Sequence, residues 1–234
     1  MNMRTWAVSQ ASSSWASKSI AVLMKDMRTE LRTRYALNAL FMFAFTTLVV
    51  ISFSLGQVAL TTTVHAALYW IVLFFSAMSA LAGVFIKEED TKTAQTLRMY
   101  ARPSIIYTGK LIYNTFLLFT LCLLITPLFI IFMHVNVPDP VLFGVIVTLG
   151  AIGLAGATTI IGAIVAKANV RGALFAVLAF PVLLPLLVAA ISGTNAALSN
   201  EGWAGAANDI KLLAAYAVIM ITASAVLFDF VWNG

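Results

Sequence analysis

Few side chains in this 234-residue chain are suited to chemistry, and most of them lie outside its apolar runs. Asp229 is the one carboxylate inside a predicted span. An intramembrane carboxylate is a functional candidate by default, and its place one turn from the cytoplasmic end of its span also lets it reach the interface. His65 and His134 fall at the outer ends of spans. Imidazoles suit an iron or a heme, but two isolated histidines without orienting carboxylates do not make a metal site. Cys122 is the only cysteine. It forms no intrachain disulfide and belongs to no C-x-x-C pair, which argues against thiol–disulfide exchange. It reads as a small buried hydrophobe. Thr108-Gly109-Lys110 resembles the end of a phosphate loop, yet position 104 is Ser and position 111 is Leu. G-x-x-x-x-G-K-[ST] is therefore absent, and with it ATP hydrolysis by that mechanism. H-E-x-x-H and G-x-S-x-G are absent too. Glu88-Glu89 lacks the intramembrane histidines that a membrane carboxyl-type protease would need. No catalytic residue is expected.

The elements that hold these residues are dictated by hydrophobicity. The chain is 62% apolar and 10% charged, against about 25% charged residues in a soluble domain. Lys, Arg, Asp and Glu are missing from 35–86, 111–138, 140–166, 172–200 and 212–228. A spanning helix needs about 20 mostly apolar residues, so the first run is long enough for two. The predicted spans are 38–60, 64–86, 111–133, 140–166, 173–193 and 210–232, with the first pair separated at Gly56-Gln57 and Thr61-Thr62-Thr63. The fold class is an all-α membrane protein of six transmembrane helices. It divides into a cytoplasmic N-terminal segment, 1–37, and a transmembrane domain, 38–232. The first 19 residues hold no continuous apolar stretch, and no cleavable signal peptide is expected.

Thirteen of the 14 basic residues fall on one side of this layout, and only Lys211 falls on the other. Positive charge stays cytoplasmic, which places both termini inside. The net charge of +5 therefore signals orientation and contact with anionic membrane lipids, and nucleic acid is not an expected partner.

Three extramembrane pieces carry structure. In the N-terminal segment Ile20, Leu23, Met24, Met27, Leu31 and Tyr35 recur at helical spacing, with Lys25, Arg28 and Arg32 on or beside the opposite face. This reads as an amphipathic helix in the membrane interface, with Glu30 and Arg34 as an i,i+4 pair. In the longest cytoplasmic connection, 88–101 contains no Gly or Pro, and Pro103 stops any helix there. Glu88, Glu89 and Asp90 suit a helix start, and Arg98 and Arg102 suit its end. Ala94, Leu97 and Ala101 share a face, with Tyr100 near it. Such a helix fits docking to a cytoplasmic partner. The third piece is an outer loop at 194–209 with Trp203 as an interfacial anchor.

Within the spans, Gly150, Gly153, Gly156 and Gly162 mark a tightly packed or sliding helix face. Pro181 and Pro185 each remove a backbone donor and kink or break the fifth span. Thr126-Pro127 does the same in the third.

The stretches K-D-M-R-T-E-L-R-T-R at 25–34 and F-I-K-E-E-D-T-K-T-A at 85–94 resemble heme exporter protein B, the CcmB-type permease of cytochrome c maturation. G-A-I-G-L-A-G-A at 150–157 and P-V-L-L-P-L-L-V-A-A at 181–190 fit the same family. The similarity runs from about residue 18 to 232. One departure is Arg98-Met99-Tyr100 ahead of Arg102-Pro103, where the family usually carries a leucine-rich run.

The resemblance implies a non-catalytic ABC-transporter subunit of the ABC-2 or type V exporter kind. ATP would be bound by a separate cytoplasmic ATPase chain, and heme would be the substrate of the whole complex. The 88–102 helix would be the coupling helix, docking the ATPase through Glu88, Glu89, Asp90, Leu97, Arg98 and Tyr100. The N-terminal helix would be the elbow helix. Further implied partners are a heme-handling membrane subunit with a tryptophan-rich motif, a second copy of this chain and a small single-span subunit. The implied location is the bacterial inner membrane. The five tryptophans of this chain are isolated from one another, unlike those of the heme-handling subunit. The same architecture would also serve an ABC-2-type permease exporting a lipid, glycan or drug.

Overall fold

The computed structural model describes residues 15–33, 35–56, 60–81, 97, 99, 101–166, 171–199 and 201–233, and over these the chain is helical. The helices are α1 (Trp15–Thr33), α2 (Tyr35–Leu55), α3 (Thr62–Leu81), α4 (Pro103–Met133), α5 (Pro140–Ala166), α6 (Arg171–Leu198) and α7 (Gly202–Asn233). Four helices among the described residues are long and apolar enough to cross a membrane: Pro103–Met133, Pro140–Ala166, Val177–Leu198 and Gly202–Trp232. Phe41–Leu55 and Thr62–Met78 are shorter apolar helices. Phe53, Leu123, Ile131, Val188, Val218 and Phe230 point outward as large exposed apolar side chains, a surface that suits lipid and not water.

Local sequence sets the helix ends. Gly56, at φ 54°, ends α2 in the left-handed conformation and donates its amide to Ser52 O at 3.1 Å, the ending for which glycine is favoured. Asp139 caps α5 through Oδ1, which accepts the Leu142 amide at 2.9 Å, and Pro140 follows at the first helical position, where its missing donor costs nothing.

Three boundaries differ from the sequence expectation. Pro103 does more than stop the segment before it: Arg102 is extended, and Pro103 is the first residue of α4. The predicted third span therefore continues back through 103–110 without a break. At the other end of the bundle, α6 runs to Leu198 and α7 starts at Gly202, so most of the expected 194–209 loop, Trp203 and Asp209 included, is helical. Finally, α6 passes through Pro181 and Pro185, and α4 passes through Pro127, each as one helix. Pro185 supplies no amide to the Pro181 carbonyl. One residue further on, the Val182 carbonyl accepts the Tyr216 hydroxyl from α7 at 2.8 Å, which ties α6 to α7 beside the prolines.

α5 lies at the centre of the bundle, against α4, α6 and α7. Its glycines explain this position. A Cβ on Gly150 would collide with the Trp70 indole of α3, one on Gly153 would lie 2.5 Å from Leu186 Cδ1, and one on Gly156 would lie 3.1 Å from Ile221 Cγ1. The three positions step along one side of α5, and each meets a different neighbouring helix. Close approach then lets side-chain hydroxyls and amides cross between helices. Trp70 donates Nε1 to Thr194 Oγ1 at 2.8 Å in the buried core, Tyr69 and Thr126 share a hydrogen bond of 2.9 Å, and Thr62 and Thr63 both donate to Asn195 Oδ1, at 2.7 and 3.1 Å. Trp70→Phe replaces the indole by a smaller phenyl ring and removes the donor to the Thr194 hydroxyl. It should cost about 1–3 kcal/mol, seen as a lower unfolding temperature of the detergent-solubilised protein.

Candidate functional site at the basic end of the bundle

The end of the bundle that carries α1 and the start of α4 gathers most of the charged residues among those described. α1 has three faces. Ser19, Val22, Asp26 and Glu30 recur at spacings of three and four, and all four are buried. Ile20 and Met24 face outward, more than 45% exposed, with Leu23 and Met27 half-buried beside them. Lys18, Lys25, Arg28 and Arg32 are exposed on the remaining side. The stripe that meets protein is thus the polar one, while the apolar stripe read from the sequence borders it and is largely turned outward.

The buried face rests on the first turns of α4. Lys110 Nζ lies 3.0 Å from Asp26 Oδ2, and the lysine side chain is only 1% exposed. Lys25 reaches the other oxygen of the same carboxylate, Oδ1, at 3.2 Å, from an exposed position. Gly109 provides the seat beside it: a Cβ there would stand 2.8 Å from Val22 Cβ and 3.0 Å from the Ser19 carbonyl oxygen. The Trp15 indole, at the start of α1, donates to Ser104 Oγ at 3.5 Å. Thr108-Gly109-Lys110, the stretch that resembles a broken phosphate loop, is therefore the surface on which α1 sits. A charge this deeply buried persists only when paired, and Asp26 supplies the pair.

One turn deeper along α4, Asn114 donates Nδ2 to Thr159 Oγ1 of α5 at 2.8 Å, and Thr159 donates to the Ala155 carbonyl at 2.6 Å. Asn114 Oδ1 is buried without a hydrogen-bond partner among the described residues. Two turns back from Asn114, Tyr107 donates to the Ile221 carbonyl of α7 at 3.2 Å. From its first three turns α4 therefore grips α1, α5 and α7.

Of the residues expected to dock an ATPase, Leu97 is described and is half-buried against the hydrophobic core, as is Ala101. The Ala101 amide donates to the Leu97 carbonyl at 3.1 Å, and the Arg102 carbonyl then accepts the Ile105 amide at 3.0 Å. One helical turn thus leads to the start of α4. Met99, between Leu97 and Ala101, is 86% exposed. Glu88, Glu89, Asp90, Arg98 and Tyr100 lie outside the described residues, as does Arg34, the expected partner of Glu30. Gly150, Gly153 and Gly156 are packing positions within α5, and Pro181 and Pro185 face outward on α6. His65 packs edge-on against Phe129 with ring centroids 6.5 Å apart, and His134 holds a left-handed conformation (φ 52°) at the end of α4. Asp229 is exposed on α7. Cys122 is buried. Among the described residues no three His, Cys, Asp or Glu side chains gather into a metal site.

Sequence reasoning missed Asp26, Gly109 and Lys110 as a unit. The available signal was an Asp and a Glu four residues apart on an otherwise basic helix, together with a lysine opening a 28-residue charge-free run.

A multi-pass helical bundle with nearly all its basic residues at one end and its apolar faces outward is an integral membrane protein. The chain belongs to the CcmB family, whose model, described as CcmB protein, matches residues 17–230. It is a non-catalytic permease subunit of the ABC type that serves cytochrome c biogenesis and heme handling. The family acts with a separate ABC ATPase and with CcmC-type subunits. No curated protein and no solved structure matches the chain.

Proposed function

We propose that this chain is the driven part of the complex, turning ATP binding and hydrolysis on a partner chain into movement of its own helices. In this reading it spans the bacterial inner membrane six times with both termini in the cytoplasm, and 1–37 and 38–232 are its two parts. The two shorter apolar helices are its first two spans, and α1 is the elbow helix in the cytoplasmic interface. The 88–102 segment is the coupling helix. Glu88, Glu89, Asp90, Arg98 and Tyr100 meet the ATPase, and Leu97 joins that helix to the bundle. A heme-handling membrane subunit with a tryptophan-rich motif, a second copy of this chain and a small single-span subunit complete the assembly. Heme is the substrate of the assembly, delivered to or released with a periplasmic chaperone. Within the spans, Gly150, Gly153 and Gly156 set helix approach, and Pro181 and Pro185 place bends.

The observation that supports this reading most is continuity. Leu97 and Ala101 pack on the core directly ahead of Arg102, and only the short non-helical junction at Ala101 and Arg102 precedes the start of α4 at Pro103. A push on the segment before Arg102 therefore enters a 31-residue helix that touches α1, α5 and α7.

Two measurements test the reading. Glu88→Ala combined with Glu89→Ala and Arg98→Ala should lower co-purification of the ATPase about tenfold, roughly the 1.4 kcal/mol that one good contact is worth. Unchanged co-purification and unchanged cytochrome c maturation would remove the docking role. In a Cys122→Ala background, Ser199→Cys should react with an impermeant thiol reagent from outside the cell, and Met99→Cys should not. The opposite pattern would invert the topology.

A further inference from the structure

We propose that the Asp26–Lys110 ion pair is a register pin, which makes the interfacial helix α1 move as one body with α4. The inference rests on the reading of α4 as the helix that receives motion from the coupling segment. It starts from the shape of the contact. Gly109 offers α1 a flat seat, against which Val22 and the Ser19 carbonyl lie closely. A smooth apolar contact resists separation but resists sliding and rolling poorly, because burial is non-directional. A buried ion pair behaves differently. Lys110 is almost wholly enclosed and 3.0 Å from Asp26, so any slip of α1 along α4 separates two desolvated charges.

Fixing register is the best-supported use of buried ionic groups, since they add little net stability. The same pin sets the roll of α1. With Asp26 turned toward α4, Ile20 and Met24 face outward, and Lys18, Arg28 and Arg32 occupy the remaining side. A displaced α4 would then carry with it a helix whose apolar and basic faces already have a fixed orientation toward the bilayer.

Asp26→Leu with Lys110→Met tests this in the whole complex. The apolar pair removes both charges, so the protein should still fold, with a melting temperature within about 5 °C of the unmodified protein. The ATPase should co-purify as before, because the pair lies outside the docking segment. Cytochrome c maturation per ATP hydrolysed should fall at least tenfold. The exchanged pair, Asp26→Lys with Lys110→Asp, should recover a substantial part of it. Maturation at the original rate in the apolar pair would overturn the pin, as would an exchanged pair that folds yet stays as inactive as the apolar one. Failure of the docking reading shows up separately, as ATPase retained by the Glu88, Glu89 and Arg98 variant.

Discussion

Lys110→Ala is expected to lower the unfolding free energy by about 3–5 kcal/mol, the usual consequence of leaving one partner of a buried pair without the other. The aliphatic stem of Lys110 fills space under α1 and its ammonium lies 3.0 Å from Asp26. Truncation removes both, and Lys25, reaching the Asp26 carboxylate from a surface position, is left to offset its charge. Lys25→Ala is the matched control. That lysine side chain is 45% exposed, and exposed pairs are worth about 0–1 kcal/mol. The two variants should therefore separate clearly when melting of the solubilised protein is followed by circular dichroism or intrinsic fluorescence. Equal, small shifts for both would mean that the Lys110 charge is not desolvated in the folded protein.

Gly150→Ala carries the second large expected effect, a loss of about 1–3 kcal/mol from overpacking. The new methyl would occupy the space of the Trp70 ring. That ring cannot easily retreat, because its Nε1 is bonded to Thr194 and it packs perpendicular to the Tyr69 ring with centroids 5.8 Å apart. Gly153→Ala should cost less. The atom in its way is Leu186 Cδ1, the far end of a flexible side chain that can rotate. Gly144→Ala, at an exposed position of the same helix with nothing near the added carbon, should stay within about 0.5 kcal/mol. A double-mutant cycle with Trp70→Leu should give a coupling energy for Gly150→Ala of at least about 0.5 kcal/mol, as expected for residues in contact. A Gly144 variant as damaging as the Gly150 variant would refute the packing argument.

The membrane class was legible because it depends on hydrophobicity summed over long stretches, which no tertiary contact alters. The central place of the fourth predicted span was partly legible from Gly150, Gly153 and Gly156, since small residues announce close approach. Which helix approaches each glycine was not legible, because the neighbours come from α3, α6 and α7, as much as 80 residues away in sequence. Whether the prolines would break their helix was not legible either. Pro181 and Pro185 each remove a donor locally, yet α6 continues through both as one helix. The outer loop was overestimated for a similar reason. The Ala-, Gly- and Asn-rich stretch from 194 onward looks like a linker by composition, yet Gly193, Ala196, Ala197 and Ala206 are small enough to let α6 and α7 pack closely almost to the turn.

The sequence by itself determined that the chain lives in a membrane, where its apolar helices lie, that it holds no phosphate loop, and which family it resembles. These follow from residue type and order alone. Tertiary structure decided what the charged residues at the basic end do. Asp26 and Lys110 are 84 positions apart, and in the sequence one reads as part of a surface helix and the other as the end of a basic connection. Only the placement of α1 on Gly109 brings them to 3.0 Å and excludes water from the lysine. The strength of an ion pair depends on that exclusion, and exclusion of water is a property of the packed helices together.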